Sequence, residues 1–230
     1  MPKGMEVPLG SNEKEMEFLA QINFAQIPRI PDFPQKGILQ FFLCTDEDIM
    51  DEMADNDVVR SSDGYFEIRY YPEAEEVSSF HKAHISENRW PMEKIIGGMC
   101  FEMAEEVATL SIGADGFETV AGCEDKIDVL VPELFEEAKY DLSDGLDTDR
   151  FCLDFGNWGC KLGGYPAIRQ GDVRLIEDNC QDYTTLLFQY DLTAYEQGEL
   201  EADTFCFFIK PDDLKACRFD DILMSWHNCF

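Results

Sequence analysis

The chain has 230 residues, 45% of them hydrophobic and 18 of them phenylalanine, which is ample for a packed core and too apolar for a disordered acidic tail. Its 48 acids against 18 bases leave a net charge of −30, a field that repels phosphate backbones and anionic membrane surfaces, and no local basic patch offsets it, so neither nucleic acid nor a membrane is an expected partner. No stretch approaches the roughly 18 consecutive apolar residues of a spanning helix, the N-terminus lacks the apolar run of a signal peptide, and the nine cysteines, odd in number and several inside apolar runs, read as reduced thiols in the cytoplasm.

The first predicted element is a strand over Phe18–Ile22, within FLAQINF. Pro28, Pro31 and Pro34 follow at every third position, which forbids a helix interior and a central strand alike, so polyproline II or serial turns are expected there. Gly37 breaks that run, and ILQFFL at 38–43 reads as a buried strand. Between Thr45 and Val59 the chain holds seven acids and no base. The segment has no central glycine, so it does not match a calcium-binding EF-hand loop and reads as an exposed loop or short helix. Asp63-Gly64 marks a turn, and Tyr65–Tyr71 reads as a strand ended by Pro72.

Residues 91–109 are ambiguous, because Gly97 and Gly98 weaken any helix there. Asp115-Gly116 is a further turn, and VPELFEEAKY, with Leu134, Phe135 and Ala138 at helical spacing, predicts a short amphipathic helix. The segment GNWGCKLGGYPAIRQGDVR carries five glycines and leads to the strand TTLLFQYDL. A hairpin over AYEQGELEAD then precedes the strand TFCFFI at 204–209, which Lys210 and Pro211 stop. PDDLKACRFDDI reads as a turn with one helical turn, and MSWHNCF closes the chain without an assigned element.

Two parts of the chain echo each other. FLAQINF and LLFQYDL each centre on a glutamine, Gln21 and Gln189, and each precedes a second apolar run holding a Phe-Phe pair, Phe41-Phe42 and Phe207-Phe208. Asp46 lies four residues after Phe42, and Asp212 four after Phe208. The unit is strand, excursion, strand, acidic turn. Each such pair of strands has a greasy face that must be covered, by its like or by helices. The expected fold is therefore α+β, with antiparallel or mixed sheets from two internally duplicated halves and few short helices. The expected organisation is one domain over residues 1–230, with halves near 1–125 and 126–230.

Signatures of chemistry are sparse. His81 and His84 lie three apart, but zinc wants two further ligands and the chain has no C-x-x-C, so no metal site is expected. LGGYP fits neither the G-x-G-x-x-G nor the Walker pattern. Its glycines read first as allowing close backbone approach, with Pro166 fixing a turn. There is no G-x-S-x-G, and paired carboxylates carry no weight among 48 acids, so no catalytic residue and no cofactor are assigned. Bases are scarce, which makes Lys161, Arg169 and Arg174 around the glycine segment stand out. They can pair with Asp154 and Asp172, or hold an anion in a groove. The candidate ligand-binding set is accordingly Trp158, Lys161, Gly163, Gly164, Tyr165, Arg169 and Arg174.

FLAQINFAQIPRIPDFPQKGILQFF, LGGYPAIRQGDVR, LLFQYDL and CFFIKPDDLKACRFDDILMSWHNC together resemble the signature of the YwqG-like family of bacterial proteins. The similarity runs from about residue 16 to the end and is weakest between 45 and 150. The resemblance implies a single-domain α+β protein with an internal duplication and no characterised activity, in a family some of whose relatives suggest toxin neutralisation. Three departures stand out. The family's segment before the first strand, with its own Gly-Gly-x-Pro turn, has at most a remnant in PLG at 8–10, so the first repeat reads as truncated at its N-terminus. Cys160 stands where the family favours histidine, and Glu199–Asp203 replaces a Trp-Gly-Asp-x-Gly pattern. The leading expectation for function is a non-enzymatic, acidic protein-binding domain, an immunity or regulatory protein for a basic partner such as a nuclease toxin. The alternative is a small-molecule or cation-binding protein, or an enzyme, with a cleft between the halves.

Overall fold

The structure is a computed structural model and describes residues 6–56, 58–73, 112–113, 116–117, 159–168, 172–191 and 204–227. The chain is a mixed α+β protein. Its strands are β1 (Glu17–Asn23), β2 (Ile38–Leu43), β3 (Val59–Arg60), β4 (Phe66–Tyr71), β5 (Ile112–Gly113), β6 (Gly116–Phe117), β7 (Thr185–Asp191), β8 (Thr204–Ile209) and β9 (Ile222–His227). Its short helices are α1 (Glu47–Ala54), α2 (Val173–Ile176) and α3 (Pro211–Lys215). One antiparallel sheet has the order β1-β2-β4, a second has the order β3-β9-β8-β7, and β5 with β6 forms a small antiparallel pair. The chain divides into two compact units, residues 1–106 with 209–224, and residues 107–208 with 225–230.

In the first unit, β2 is the central strand and all six of its residues are buried. A strand covered on both faces needs no polar alternation, which is why ILQFFL reads as one apolar run. Its neighbour β1 pairs in register with Gln21 opposite Gln40, after a bulge between Phe18 and Ala20. On the other side Gln40 lies opposite Arg69 and Phe42 opposite Glu67. The three-proline segment forms serial turns, with Phe24, Phe33, Tyr70 and Phe219 in a chain of aromatic contacts at 5.1–6.4 Å. Gly37 closes it at φ 87, and a Cβ there would meet the Tyr71 carbonyl oxygen at 2.7 Å. Only glycine fits both conditions.

The acidic segment after β2 is helical. Ile49, Met50 and Met53 are its buried face, and Glu47, Asp48, Asp51 and Glu52 are exposed. A 3-10 turn, Ser61–Asp63, then ends at Gly64 in the left-handed region, where the sequence places a turn. Ser61 Oγ donates to the Asp220 carbonyl at 2.7 Å, beside the pairing of β3 with β9.

In the second unit, Leu186–Asp191 of β7 and all of Thr204–Phe208 are buried. Phe188 stacks on Phe207 at 6.4 Å, and Phe205 on Trp226 at 5.4 Å. The sequence reading gives no element to MSWHNCF. The structure places Met224–His227 in β9, where Ser225 and His227, 1% and 2% exposed, bond each other at 3.0 Å. Two polar residues interrupt the apolar pattern there, and their mutual hydrogen bond offsets the cost of burying them. The helix expected over VPELFEEAKY, the hairpin over AYEQGELEAD and the ambiguous residues 91–109 lie outside the described residues.

Candidate functional site

The glycine segment Gly159–Ile168 is a strap laid along β7, tied at both legs to Gln189 and at its start to Asp191. Lys161 and Gln189 exchange both backbone hydrogen bonds, at 2.9 and 3.1 Å, as an isolated antiparallel bridge. The Gln189 side chain, 0% exposed, holds both legs of the strap: Nε2 donates to the Gly159 carbonyl at 2.9 Å, and Oε1 accepts from the Ala167 N–H at 2.7 Å. Cys206 Sγ, in β8, donates to the same Oε1 at 3.7 Å. Between the legs, Gly163 and Gly164 turn the chain at φ 67 and 72, a pair of left-handed residues that side chains disfavour. Asp191, also 0% exposed, accepts from the Gly159 N–H at 2.7 Å and from Thr204 Oγ1 at 3.5 Å.

Arg174 sits in α2 and is 0% exposed. Its guanidinium forms a two-pronged pair with Asp172, Nε to Oδ1 at 2.8 Å and Nη2 to Oδ2 at 2.6 Å, and donates to the Tyr183 carbonyl at 3.1 Å. Its Cζ lies 3.9 Å from the Phe208 ring centre. Asp172 is also the N-cap of α2, accepting from the Arg174 N–H at 3.1 Å. The pairing of Arg174 with Asp172 is one of the two roles its sequence position allows. Lys161 and Tyr165 are half-buried, Gly163 is buried and Gly164 is exposed. Trp158 and Arg169 lie outside the described residues, as do His81 and His84. The structure thus ties Lys161, Gly163, Gly164 and Tyr165 into one strap, with Gln189 at its centre. Sequence reading singled out Gln189 only as a repeat marker, since the strap groups it holds are backbone atoms 22 and 30 residues upstream.

Burial shapes the thiols. Cys206 is pushed up to about 12, first by burial, with Lys161 and Arg174 pulling the other way. Burial likewise raises Cys44 to about 11. Neither is poised as a nucleophile, since the thiolate is the reactive form. Among the described residues no group of three or more His, Cys, Asp or Glu is placed to hold a metal ion, and no helix is long and apolar enough to cross a membrane.

The polar exterior is built on carboxylates. Many of the scarce bases are matched to an acid: Lys14 with Asp46, Lys36 with Glu73, Arg69 with Glu67, Lys210 with Asp221, Lys215 with Asp32 and Arg218 with Asp213. The hydrogen bond from Lys14, helped by one from Asn12, holds the Asp46 carboxyl below its usual range. Exposed pairs of this kind contribute little stability, but they cancel the positive charge locally. Among the described residues the acids of α1 have no such match: there is no base in its last turn, and Asp51, Glu52 and Asp55 all lie exposed toward its C-terminal end. Beside them a groove of about 380 Å³ is lined by Glu52, Asn56, Val58, Val59, Asp63 and Tyr65. A hydrogen bond to Glu52 raises the Tyr65 phenol to about 12.

No curated protein matches the chain. A family model does match, over residues 1–229, and its description is a domain of unknown function, DUF1963. With almost the whole length covered, and with the YwqG-like motifs in the strands and strap described above, the chain belongs to the DUF1963 (YwqG-like) family.

Proposed function

We propose that this protein is a non-enzymatic binding domain that presents an acidic surface to a basic partner protein, in an immunity or regulatory role in the cytoplasm. The observation that carries the reading is the exposed face of α1. Glu47 and Asp48 suit the helix N-terminus, but Asp51, Glu52 and Asp55 crowd the end where the helix dipole disfavours negative charge. Such an arrangement costs the free protein stability, and cations from a partner relieve it. The adjoining groove adds Asp63, the amide of Asn56 and the phenol of Tyr65 to the same face, over apolar Val58 and Val59. Lysine and arginine side chains combine an apolar stem with a charged head and fit that mixture. A net charge of −30 steers such a partner in over long range.

The same reading takes the fold as an internal duplication. β1-β2-α1-β4 and β7-β8-α3-β9 follow one order along the chain, and in each sheet the second strand of the set lies between the other two. The two first strands have seven residues with glutamine fifth, and the two second strands have six with Phe-Phe at positions four and five.

The test is affinity capture from the native lysate at about 0.05 M and about 0.5 M salt, with the wild type and a variant carrying Asp51→Lys, Glu52→Lys and Asp55→Lys. A protein retained at low salt, released at high salt and not retained by the variant is the expected result. A partner retained equally by both, or none that responds to salt, contradicts the reading.

A further inference from the structure

The turn that precedes β1 is held in place by the carboxylate of Asp46. Residues 8–16 fold back on themselves: the Gly10 N–H donates to the Lys14 carbonyl and the Met16 N–H to the Pro8 carbonyl, both at 2.8 Å, and Leu9 is bridged to Glu15. Asn12 Nδ2 donates to Asp46 Oδ2 at 2.9 Å, and Lys14 Nζ donates to Asp46 Oδ1. The turn lies on Cys44. The Ser11 N–H donates at 2.9 Å to the Gly64 carbonyl, which also accepts from Cys44 Sγ at 3.5 Å. A Cβ on Gly10 would stand 2.3 Å from that sulfur, and Cys44 is 3% exposed beneath the turn. Little apolar burial holds the turn itself: Leu9 is 59% exposed, and Ser11, Glu13, Lys14 and Glu15 are exposed as well. Glu13 sits at φ 62, in the left-handed region that a side chain disfavours.

Asp46 has a second use that this arrangement withholds. It is the N-cap of α1 and has the extended backbone of a cap, yet its side chain makes no cap hydrogen bond. An aspartate in that place accepts from the N–H of the second or third helical residue, here Asp48 or Ile49, which have no intrahelical acceptor of their own. Both of its oxygens are instead taken by the turn. We propose that residues 8–16 are a latch with two positions. Closed, with Asp46 bound to Asn12 and Lys14, it covers Cys44 and leaves α1 without a side-chain cap. Open, it bares the Cys44 thiol while the Asp46 carboxylate turns to cap α1. The exchange lowers the cost of opening, because the open state gains a capping bond for those it loses. It also ties the turn to the helix that carries the exposed acids. The latch works through contacts within these residues and does not depend on the basic partner proposed above.

The test is alkylation of the full-length protein by iodoacetamide, followed cysteine by cysteine by peptide mass spectrometry. In the closed position the Cys44 thiol is covered, and burial keeps it protonated up to about 11, so labelling there reports opening, since only the thiolate reacts. Cys217, exposed, and Cys206, 0% exposed, are the internal references for an open thiol and for global unfolding. Wild-type Cys44 is expected to react more slowly than Cys217 and faster than Cys206. Asn12→Ala with Lys14→Met removes both donors to Asp46, whereas Asp46→Asn removes the charge and keeps a good capping residue. Each is expected to speed labelling of Cys44 at least about fivefold and to leave Cys206 unchanged. In the first variant the released carboxylate caps α1, so the amide hydrogens of Asp48 and Ile49 are expected to show slower exchange in at least one of the two. If Cys44 reacts only as fast as Cys206 in the wild type and in both variants, or if neither variant changes its rate, the latch is overturned. Faster labelling of Cys44 with no slowing at either amide overturns the alternation of Asp46 between turn and helix.

Discussion

Gln189 and Gln21 occupy matching strand positions, and among the described residues only Gln189 holds a strap. Replacing Gln189 by leucine keeps the volume but strands the Ala167 N–H and the Gly159 carbonyl. Each unsatisfied group costs about 1–3 kcal/mol, so Gln189→Leu is expected to lower stability in urea by about 2–4 kcal/mol, whereas Gln21→Leu, losing one half-buried bond, costs about 1 kcal/mol or less. Equal losses at both positions would show that the strap is not held by Gln189. The buried thiols set a second expectation. A folded-state pKa raised to about 11 at Cys44 and about 12 at Cys206 means that the unfolded chain releases its thiol protons first. The stability from keeping these thiols protonated is whole below the unfolded value of about 8.5 and declines as pH rises from there toward 11–12. Unfolding midpoints measured from pH 8 to pH 11 are expected to fall, and to fall less steeply in Cys206→Ser, which keeps a donor to Gln189. A parallel fall in that variant removes Cys206 as a source of the alkaline loss.

At the scale of elements, the sequence showed most where burial is complete on both faces. ILQFFL and TFCFFI are uninterrupted apolar runs, and β2 and β8 occupy those residues and no others. The strand in TTLLFQYDL and the turn at Asp63-Gly64 were legible for the same kind of local reason. β9 was not, because Ser225 and His227 break the apolar pattern and satisfy each other only once the strand exists. α2 was hidden too: four residues are too few for a helical period, and its cap Asp172 is recognisable only through its bonds to Arg174. Of the candidate site, the glycine strap was visible as composition, while its anchor was not, since Gln189 meets it through main-chain groups. Gly37 tests how firmly a turn fixes its neighbours. Gly37→Ala combines a left-handed backbone with a Cβ 2.7 Å from the Tyr71 oxygen and 2.9 Å from Pro72 Cα, both of them backbone. A loss of about 2 kcal/mol or more is expected in thermal or urea unfolding, beyond the roughly 1 kcal/mol of left-handed strain alone. A loss no larger than that strain shows that the backbone at the end of β4, at Tyr71 and Pro72, gives way easily.

For the molecule as a whole, charge and fold serve different ends. The core is built from phenylalanine and branched aliphatics and needs none of the acids at the surface. The ion pairs on that surface are mostly exposed and weak, and a net charge of −30 works against the compact state. If the α1 acids are held for a partner, removing them relieves a cost. The most direct measurement is the thermal unfolding of the wild type and of the variant Asp51→Asn with Asp55→Asn, at about 0.01 M and about 1 M salt, where the Debye length shrinks from about 30 Å to about 3 Å. The variant is expected to be the more stable at low salt by about 0.3–1 kcal/mol, with the gap closing at high salt as the wild type gains. A variant that melts lower than the wild type at low salt would show that these carboxylates support the fold itself, and would contradict their assignment to a basic partner.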